Sequence, residues 1–192
     1  MAPFSTSVRS LAFACLLLVA ALTSSSRARA TGGLPAAGDY DVQPAGSSVG
    51  FSVTNFLVTT VDGTFHTFRG KVTIGDSIAA TRIEASADTR SVDTGNGSRD
   101  EHLRSADFFD SAKFPRMSFT STQVWGTPDN LGIKGSLTIK GTTREVVFSA
   151  RILDSGVVRA EATIDRTAFG ITYGASIKND VRLKLMIKMA KG

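Results

Sequence analysis

Apolar and polar residues alternate with a period of two along most of the chain beyond residue 38. Successive side chains of a β-strand point to opposite faces, so each such run predicts a strand with one apolar face and one face in water. The apolar sets are Val49, Phe51 and Val53; Ile83, Ala85 and Ala87; Met117 and Phe119; Leu131, Ile133, Leu137 and Ile139; Val158, Ala160, Ala162 and Ile164; and Val181, Leu183, Leu185 and Ile187.

Turn-forming residues separate these runs at 127–130, 141–143 and 154–156. With further runs near residues 40 and 72 and at 146–152, the pattern predicts roughly eight to ten short strands. Antiparallel strands that each have one apolar face form a sandwich or a barrel, and closure into a barrel removes exposed edges. The sequence therefore predicts an all-β fold and favours a β-barrel.

One segment, residues 90–115, breaks the alternation. Ser98 followed by Glu101 is typical of a capping box, which predicts a helix of about two turns from Ser98 to about Ala106. Such a helical insert would lie over one mouth of the barrel, either as a lid that moves or as a plug that does not. The apolar residues that it would turn towards the barrel are Leu103, Phe108, Phe109 and Phe114.

The first thirty residues have the pattern of a secretory signal peptide. Arg9 precedes the apolar run Leu11–Leu22, and the sequence Ala28-Arg29-Ala30 has the form of an A-x-A cleavage site. The run is shorter than the ~20 residues that a membrane-spanning helix needs. We therefore expect cleavage near Ala30 and a mature protein that is periplasmic or secreted.

Cleavage would change both the charge and the cysteine content. The chain carries 22 Lys+Arg against 17 Asp+Glu, a formal charge of +5, but three of the arginines and no acidic residue lie in the signal segment, which lowers the mature charge to +2. This small charge gives no reason to expect nucleic acid as a partner. Cys15, the single cysteine, would also be removed, which excludes disulfides and thiol chemistry. The predicted organisation is 1–30 signal peptide, 31–38 flexible leader and 39–192 a single barrel domain.

No recognisable catalytic or metal-binding constellation emerges. Residues 46–50 match G-x-S-x-G, but a strand rather than a helix follows, so a turn that enters a strand is expected. His66 and His102 are too few for a three-histidine metal site. We expect His66 to be a surface or rim residue of a strand and His102 to join an ion-pair cluster with its neighbours at 99–101. Asp93 is expected to form an Asx turn. No catalytic residue, metal site or cofactor is predicted.

Four basic residues form a stripe along the last predicted strand, and three of them alternate with its apolar residues. Lys178, Arg182, Lys184 and Lys188 either form a solvated outer face that protects against edge pairing or make transient contact with anionic lipid headgroups.

Residues 90–119 resemble the segment that marks the YceI-like, polyisoprenoid-binding family: a Ser-hydrophobic-Asp-Thr turn, an Arg-Asp-x-x-Leu helix, then Asp-Phe-Phe and a proline before a strand. Blocks 135–148 and 162–171 are similar to the family's hairpin and to its closing Arg-x-x-Phe-Gly-Ile pattern. The likeness runs in order from residue 39 to 189. Its matching residues in the first segment are Ser91, Asp93, Thr94, Arg99, Asp100, His102, Leu103, Asp107, Phe108, Phe109, Pro115 and Phe119.

The resemblance implies an antiparallel lipocalin-like barrel of about eight strands, exported to the bacterial periplasm or cell envelope. It also implies an elongated pocket for an isoprenoid-chain amphiphile, such as an isoprenoid quinone or a polyprenyl lipid, and therefore non-catalytic transport or storage. The residues expected to line the cavity are Phe51, Val53, Phe65, Ile83, Ala85, Phe119, Leu137, Phe148, Ala160 and Ala162, with Leu103, Phe108 and Phe109 as lid residues.

Two other functions remain open from the sequence. A structural or stress-related interaction module would have a filled barrel with a cavity volume near zero. An envelope enzyme acting on a lipid-like substrate would bring two polar groups with shifted pKa values together inside the barrel. The oligomeric state is also left open, a dimer included.

Overall fold

The computed structural model describes residues 33–55, 58–153 and 156–192, and within them eleven strand segments and one α-helix. The predicted signal peptide and the first two residues of the predicted leader lie outside the described residues. The helix α1 is Gly97–Arg104, and short 3₁₀ turns occur at Ile78–Ala80, Thr89–Ser91 and Arg166–Phe169. The strands are β1 Gly38–Val42, β2 Ser48–Asn55, β3 Thr59–Phe65, β4 Phe68–Ile74, β5 Arg82–Asp88, β6 Val92–Asp93, β7 Arg116–Thr127, β8 Asn130–Ile139, β9 Thr142–Ile152, β10 Val157–Asp165 and β11 Ile177–Lys191.

The eleven segments combine into eight strands of one closed antiparallel barrel. β1 and β2 pair one after the other along β11, with Val42 opposite Met189 and Ser48 opposite Met186. The next two strands of the ring are interrupted in the same way. β3 pairs with β2 and β6, and β4, which follows β3 in the chain, pairs with β1 and β5. β3 and β4 therefore form one interrupted strand, and β5 and β6 form another. The ring then runs through β7, β8, β9 and β10 to β11. The predicted barrel of about eight strands is confirmed.

The inward face of the barrel is the face that the alternation predicts. Side chains of one parity are buried on β8, β9 and β10, while their neighbours are exposed or half-buried. On β7 a bulge between Ser121 and Gln123 shifts the register, so that Val124 rather than Gln123 is buried beyond it. The buried apolar residues of β8, β9 and β10 are Leu131, Ile133, Leu137, Ile139, Val146, Phe148, Ala150, Ile152, Ala160, Ala162 and Ile164.

The helical insert forms where it is predicted, but its cap is a different residue. The Asn96 side chain accepts a hydrogen bond from the backbone N–H of Arg99 at 3.0 Å, and Asn96 has extended backbone angles (φ −143°, ψ 105°). Asn96 is therefore the N-cap, and the capping box predicted for Ser98 and Glu101 is wrong because Ser98 lies inside the first turn. The helix ends at Arg104, earlier than predicted.

In the part of the chain that the structure describes, no helix combines the length and the apolar character that crossing a membrane would require.

Candidate functional site

The barrel interior contains a cavity of about 210 Å³ at the end where β1 begins and β7 turns into β8; we call it the lower cavity. Its walls are mainly aliphatic and aromatic side chains of the strands. An apolar cavity of about 150 Å³ is already large enough to bind benzene. The predicted cavity residues that line it are Phe65, Ile83, Ala85, Phe119, Leu137, Phe148 and Ala160.

A second cavity of about 260 Å³, the upper cavity, lies beneath α1 at the other end of the barrel. The predicted wall residues Phe51, Val53 and Phe65 line it from the strands. The predicted lid residues Leu103, Phe108 and Phe109 line it from the helix and the segment that follows. All three lid residues therefore face the interior.

The two cavities adjoin along the barrel axis. Four of the described side chains line both of them, and we call this set the partition: Phe65, Met117, Ile139 and Leu183. The ring of Phe65 contacts the ring of Phe51, with centroids 5.8 Å apart. A ligand longer than one cavity would have to pass the partition.

Ala162 is the one predicted cavity residue that lines neither cavity. It is buried in the main hydrophobic cluster, directly opposite the partition residue Leu183. Along the same strand, Ala160 lines the lower cavity and Ile164 lines the upper one. Ala162 therefore lies at the height of the partition, which alternation along the sequence does not reveal.

Three rings pack edge to face at the mouth of the upper cavity. The centroids of His102 and Phe108 are 5.0 Å apart, those of His102 and Tyr173 4.9 Å, and those of Phe108 and Tyr173 5.5 Å. His102 Nε2 lies 2.8 Å from Asp107 Oδ2. The predicted ion-pair cluster of His102 with residues 99–101 is thus wrong, because the helix ends soon after His102 and the chain turns back to bring Asp107 beside it.

Arg166 holds the segment that connects β10 to β11 at this mouth through hydrogen bonds. Its side chain is only 6% exposed, and burial lowers the pKa of its guanidinium below the ordinary arginine value. The sequence indicates Arg166 only as part of the block at 162–171 that resembles the family, whereas the structure shows which backbone carbonyls its side chain bonds. Its guanidinium donates at 2.7–3.1 Å to the backbone carbonyls of Ile171, Tyr173, Gly174, Ile177 and Lys178.

The sequence model of the YceI-like domain family matches residues 40–189, which is most of the chain. The chain belongs to the YceI-like domain family.

Among the relatives of this YceI-like domain, Protein YceI of Escherichia coli (strain UMN026) is 38% identical over 127 residues, covering 65% of this chain and 66% of the relative. Protein YceI of Salmonella newport (strain SL254) is 36% identical over 129 residues, covering 66% of this chain and 68% of the relative. The matched part thus spans about two thirds of the length of these curated relatives.

Solved structures share the fold of this YceI-like domain. Burkholderia cenocepacia BcnA superposes with a TM-score of 0.72 at 22% identity, covering 78% of this chain and 99% of BcnA. A polyisoprenoid binding domain from Saccharophagus degradans, implicated in plant cell wall breakdown, superposes with a TM-score of 0.63 at 13% identity, covering 80% of this chain and 98% of that domain. At these identities the likeness establishes the barrel architecture.

His66 and Asp93 of the YceI-like domain form an exposed pair outside the cavities. His66 Nε2 lies 2.9 Å from Asp93 Oδ2, at the break between β3 and β4 rather than on a strand face. Asp93 Oδ1 accepts a hydrogen bond from the Gly95 N–H at 2.7 Å, which confirms the predicted Asx turn. The hydrogen bond from His66 is the largest cause that lowers the pKa of the Asp93 carboxyl, followed by the bond from Gly95.

The G-x-S-x-G match is a turn that enters a strand, as predicted. The Ser47 hydroxyl donates to the Gln43 carbonyl at 2.6 Å and accepts from the Lys188 N–H at 2.8 Å, and Ser48 is the first residue of β2. Within the three described ranges, no group of three or more His, Cys, Asp or Glu side chains could hold a metal ion.

The basic stripe on β11 faces outward and is partly neutralised. Lys184 Nζ lies 3.0 Å from the Asp62 carboxylate on β3, and the exposed Asp180 lies between Lys178 and Arg182 on the same strand. These carboxylates favour the solvated outer face over a continuous cationic patch.

Proposed function

We propose that this YceI-like domain binds an isoprenoid-chain amphiphile inside its barrel, without catalysis, and transports or stores it in the periplasm or cell envelope. The observation that carries the proposal is the pair of adjoining apolar cavities of about 210 and 260 Å³. The interior of an eight-stranded barrel is either filled by side chains or holds one small ligand, and the two cavities favour a ligand.

The energetics of an apolar tail suit such a cavity. Each buried CH₂ group contributes about 0.8 kcal/mol, so a chain of ~20 carbons would gain on the order of 16 kcal/mol before several kcal/mol are lost in ordering it. The tail alone can therefore give tight binding. Selectivity would rest on tail length and on the few polar groups at the mouth, such as His102 and Tyr173.

The family comparison supports the same ligand class. The domain from Saccharophagus degradans that shares this fold is described as polyisoprenoid binding, and a polyisoprenoid lipid or an isoprenoid quinone is the cargo that we propose for this chain. The signal-peptide pattern before residue 31 supports export to the periplasm or secretion after cleavage near Ala30.

The two alternative functions fit the interior less well. A filled interaction module is disfavoured by the cavities themselves. For an enzyme, two inward polar groups with shifted pKa values are expected; among the described groups with a shifted pKa, Arg166 alone lines a cavity, and its guanidinium is bonded to backbone carbonyls.

Native mass spectrometry of the mature protein purified from its own host's envelope tests the proposal, followed by organic extraction and lipid analysis. A stoichiometric isoprenoid or quinone in the extract supports it and names the cargo. A protein that is free of lipid and also takes up no added quinone overturns it in favour of the interaction module.

A further inference from the structure

The segment that precedes the first strand lies at the lower end of the barrel and forms part of the lining of the lower cavity. Leu34 and Pro35 line the lower cavity although they belong to no strand, and Ile78 from a 3₁₀ turn lines it as well. Leu34 also packs against the small buried cluster of Tyr40, Val72 and Ile74. We call Leu34, Pro35 and Ile78 the floor.

The floor is held against the barrel wall. The Tyr40 hydroxyl on β1 donates to the Ala36 carbonyl at 2.7 Å, which anchors the chain just after Pro35. β1 in turn pairs with β4 on one side and with the end of β11 on the other, at Tyr40 opposite Lys191. Leu34 is therefore positioned by the strands that close the ring.

The opposite end carries the polar side chains that a head group would meet. Arg99, His102 and Tyr173 edge the upper cavity, whereas the lower cavity is walled mainly by apolar side chains. An amphiphile would therefore lie with its head at the upper mouth and the end of its tail at the floor. The two ends are roughly 25 Å apart, since the ten residues of β8 rise ~3.3 Å each along a strand tilted by about 40°.

We infer that Leu34 and Ile78 set the longest isoprenoid tail that this domain accepts, with Leu34 as the principal length determinant. This inference rests on the proposed function. A tail gains affinity with each added unit until its end reaches these side chains, and a longer tail must coil back or displace them.

The test measures the affinity of linear isoprenoid alcohols of increasing length, from farnesol to solanesol, for the wild type, Leu34→Ala and Leu34→Trp. In the wild type, affinity should rise with length to an optimum. In Leu34→Ala the optimum should move to a longer chain, with about tenfold tighter binding of the first alcohol beyond the wild-type optimum, the gain from burying roughly two more CH₂ groups. In Leu34→Trp the optimum should move to a shorter chain.

Controls separate a length effect from loss of packing. Val147→Ala truncates a 49% exposed side chain on the outer face of β9 and should leave the length profile unchanged. Ile78→Ala should move the optimum in the same direction as Leu34→Ala, and circular dichroism checks that each variant is folded.

Three results decide the inference. A shifted optimum supports it. Equal weakening of all chain lengths, or an unchanged optimum in folded Leu34→Ala, Ile78→Ala and Leu34→Trp proteins that still bind farnesol, overturns it while the proposed function stands. Failure of the wild type to bind any of the alcohols overturns the proposed function and this inference together.

Discussion

The rings of Phe65 and Phe109 meet edge to face, with centroids 5.6 Å apart and an interplanar angle of 72°. Phe65 lies at the end of β3 and belongs to the partition, whereas Phe109 follows α1 and lines the upper cavity alone. The Phe109 N–H donates to the Leu103 carbonyl at 3.0 Å, which fixes Phe109 to the helix. The contact thus joins the helical insert to the partition.

If the helical insert acts as a lid, Phe109→Ala should speed the dissociation of a bound isoprenoid quinone by up to about tenfold. The reason is that an aromatic pair contributes about 0.5–1.5 kcal/mol beyond its buried area, and its loss frees the lid from the wall. Phe108→Ala should act in the same direction, because Phe108 packs on His102 and Tyr173. Stopped-flow measurement of quinone transfer to vesicles gives the rate.

Phe114→Ala is the matched control for these lid variants. Phe114 is a half-buried phenylalanine of the same insert that lines neither cavity. Unchanged dissociation in Phe109→Ala and Phe108→Ala would mean that the insert is a fixed plug.

Substitutions at two alanines of β10 distinguish the effect of filling the cavity from the effect of overpacking the core. Ala160→Leu places a larger side chain into the lower cavity and should reduce quinone uptake by at least several-fold with little loss of stability. Ala162→Leu enlarges a packed residue opposite Leu183 and should destabilise the fold by about 1–3 kcal/mol. Quinone titration and urea unfolding compare the two; equal behaviour would contradict the different placements of Ala160 and Ala162.

Arg166→Lys should destabilise the protein by about 3 kcal/mol and loosen the segment at 171–178. Lysine has three donors on one atom and cannot replace the planar guanidinium that reaches five carbonyls, and hydrogen bonds to charged groups contribute about 1.5–3 kcal/mol each. Urea unfolding measures the stability. Relative to the wild type, hydrogen exchange in Arg166→Lys should accelerate more at the backbone amides of residues 171–178 than at those of the strands. Equal acceleration in both regions would argue against a local role of Arg166 at the mouth.

The outer wall offers a stability test that uses the single tryptophan of the sequence. A Cβ atom built on Gly132 would lie only 2.2 Å from the Trp125 indole on the neighbouring strand. Gly132→Ala should therefore push the indole into solvent, shift its fluorescence to the red and cost about 1–3 kcal/mol. Gly97→Ala is the control, since a Cβ there meets no atom within 4 Å; it should be neutral or slightly stabilising.

His66→Ala should raise the pKa of the Asp93 carboxyl towards its ordinary value of 3.8, because the hydrogen bond from His66 is the largest cause of its depression. A depressed folded-state pKa stabilises the fold above pH 3.8, and this stabilisation is lost as the pH falls through the folded value. The variant should therefore lose less stability than the wild type across that acidic window. NMR titration of the carboxyl carbons gives the pKa; Asp62, whose pKa Lys184 lowers, should not change. An unaltered Asp93 titration would contradict the assignment.

The alternation of apolar residues was sufficient to predict an all-β fold and the inner faces of its strands, and it favoured a barrel over a sandwich. Leu137 and Phe148 point inward as predicted because the side of a strand on which a residue lies depends only on its parity. The position of the helical insert was also predictable, since the break in the alternation is a local signal. Its exact cap was not, because Asn96 and Ser98 are both good N-caps and the turn before the helix decides between them.

The sequence by itself determined which faces of the strands are apolar, where the turns and the helical insert lie, and the family to which the chain belongs. Height along the barrel axis was decided only by the tertiary structure, because it depends on the register between strands that are far apart in sequence. This register separates Ala160 in the lower cavity from Ala162 at the partition, and it gives the barrel end that Leu34 covers. The pairing of His102 with Asp107 likewise depends on how the chain folds back after α1. Parity is a local property of a strand, whereas height and closure belong to the assembled barrel.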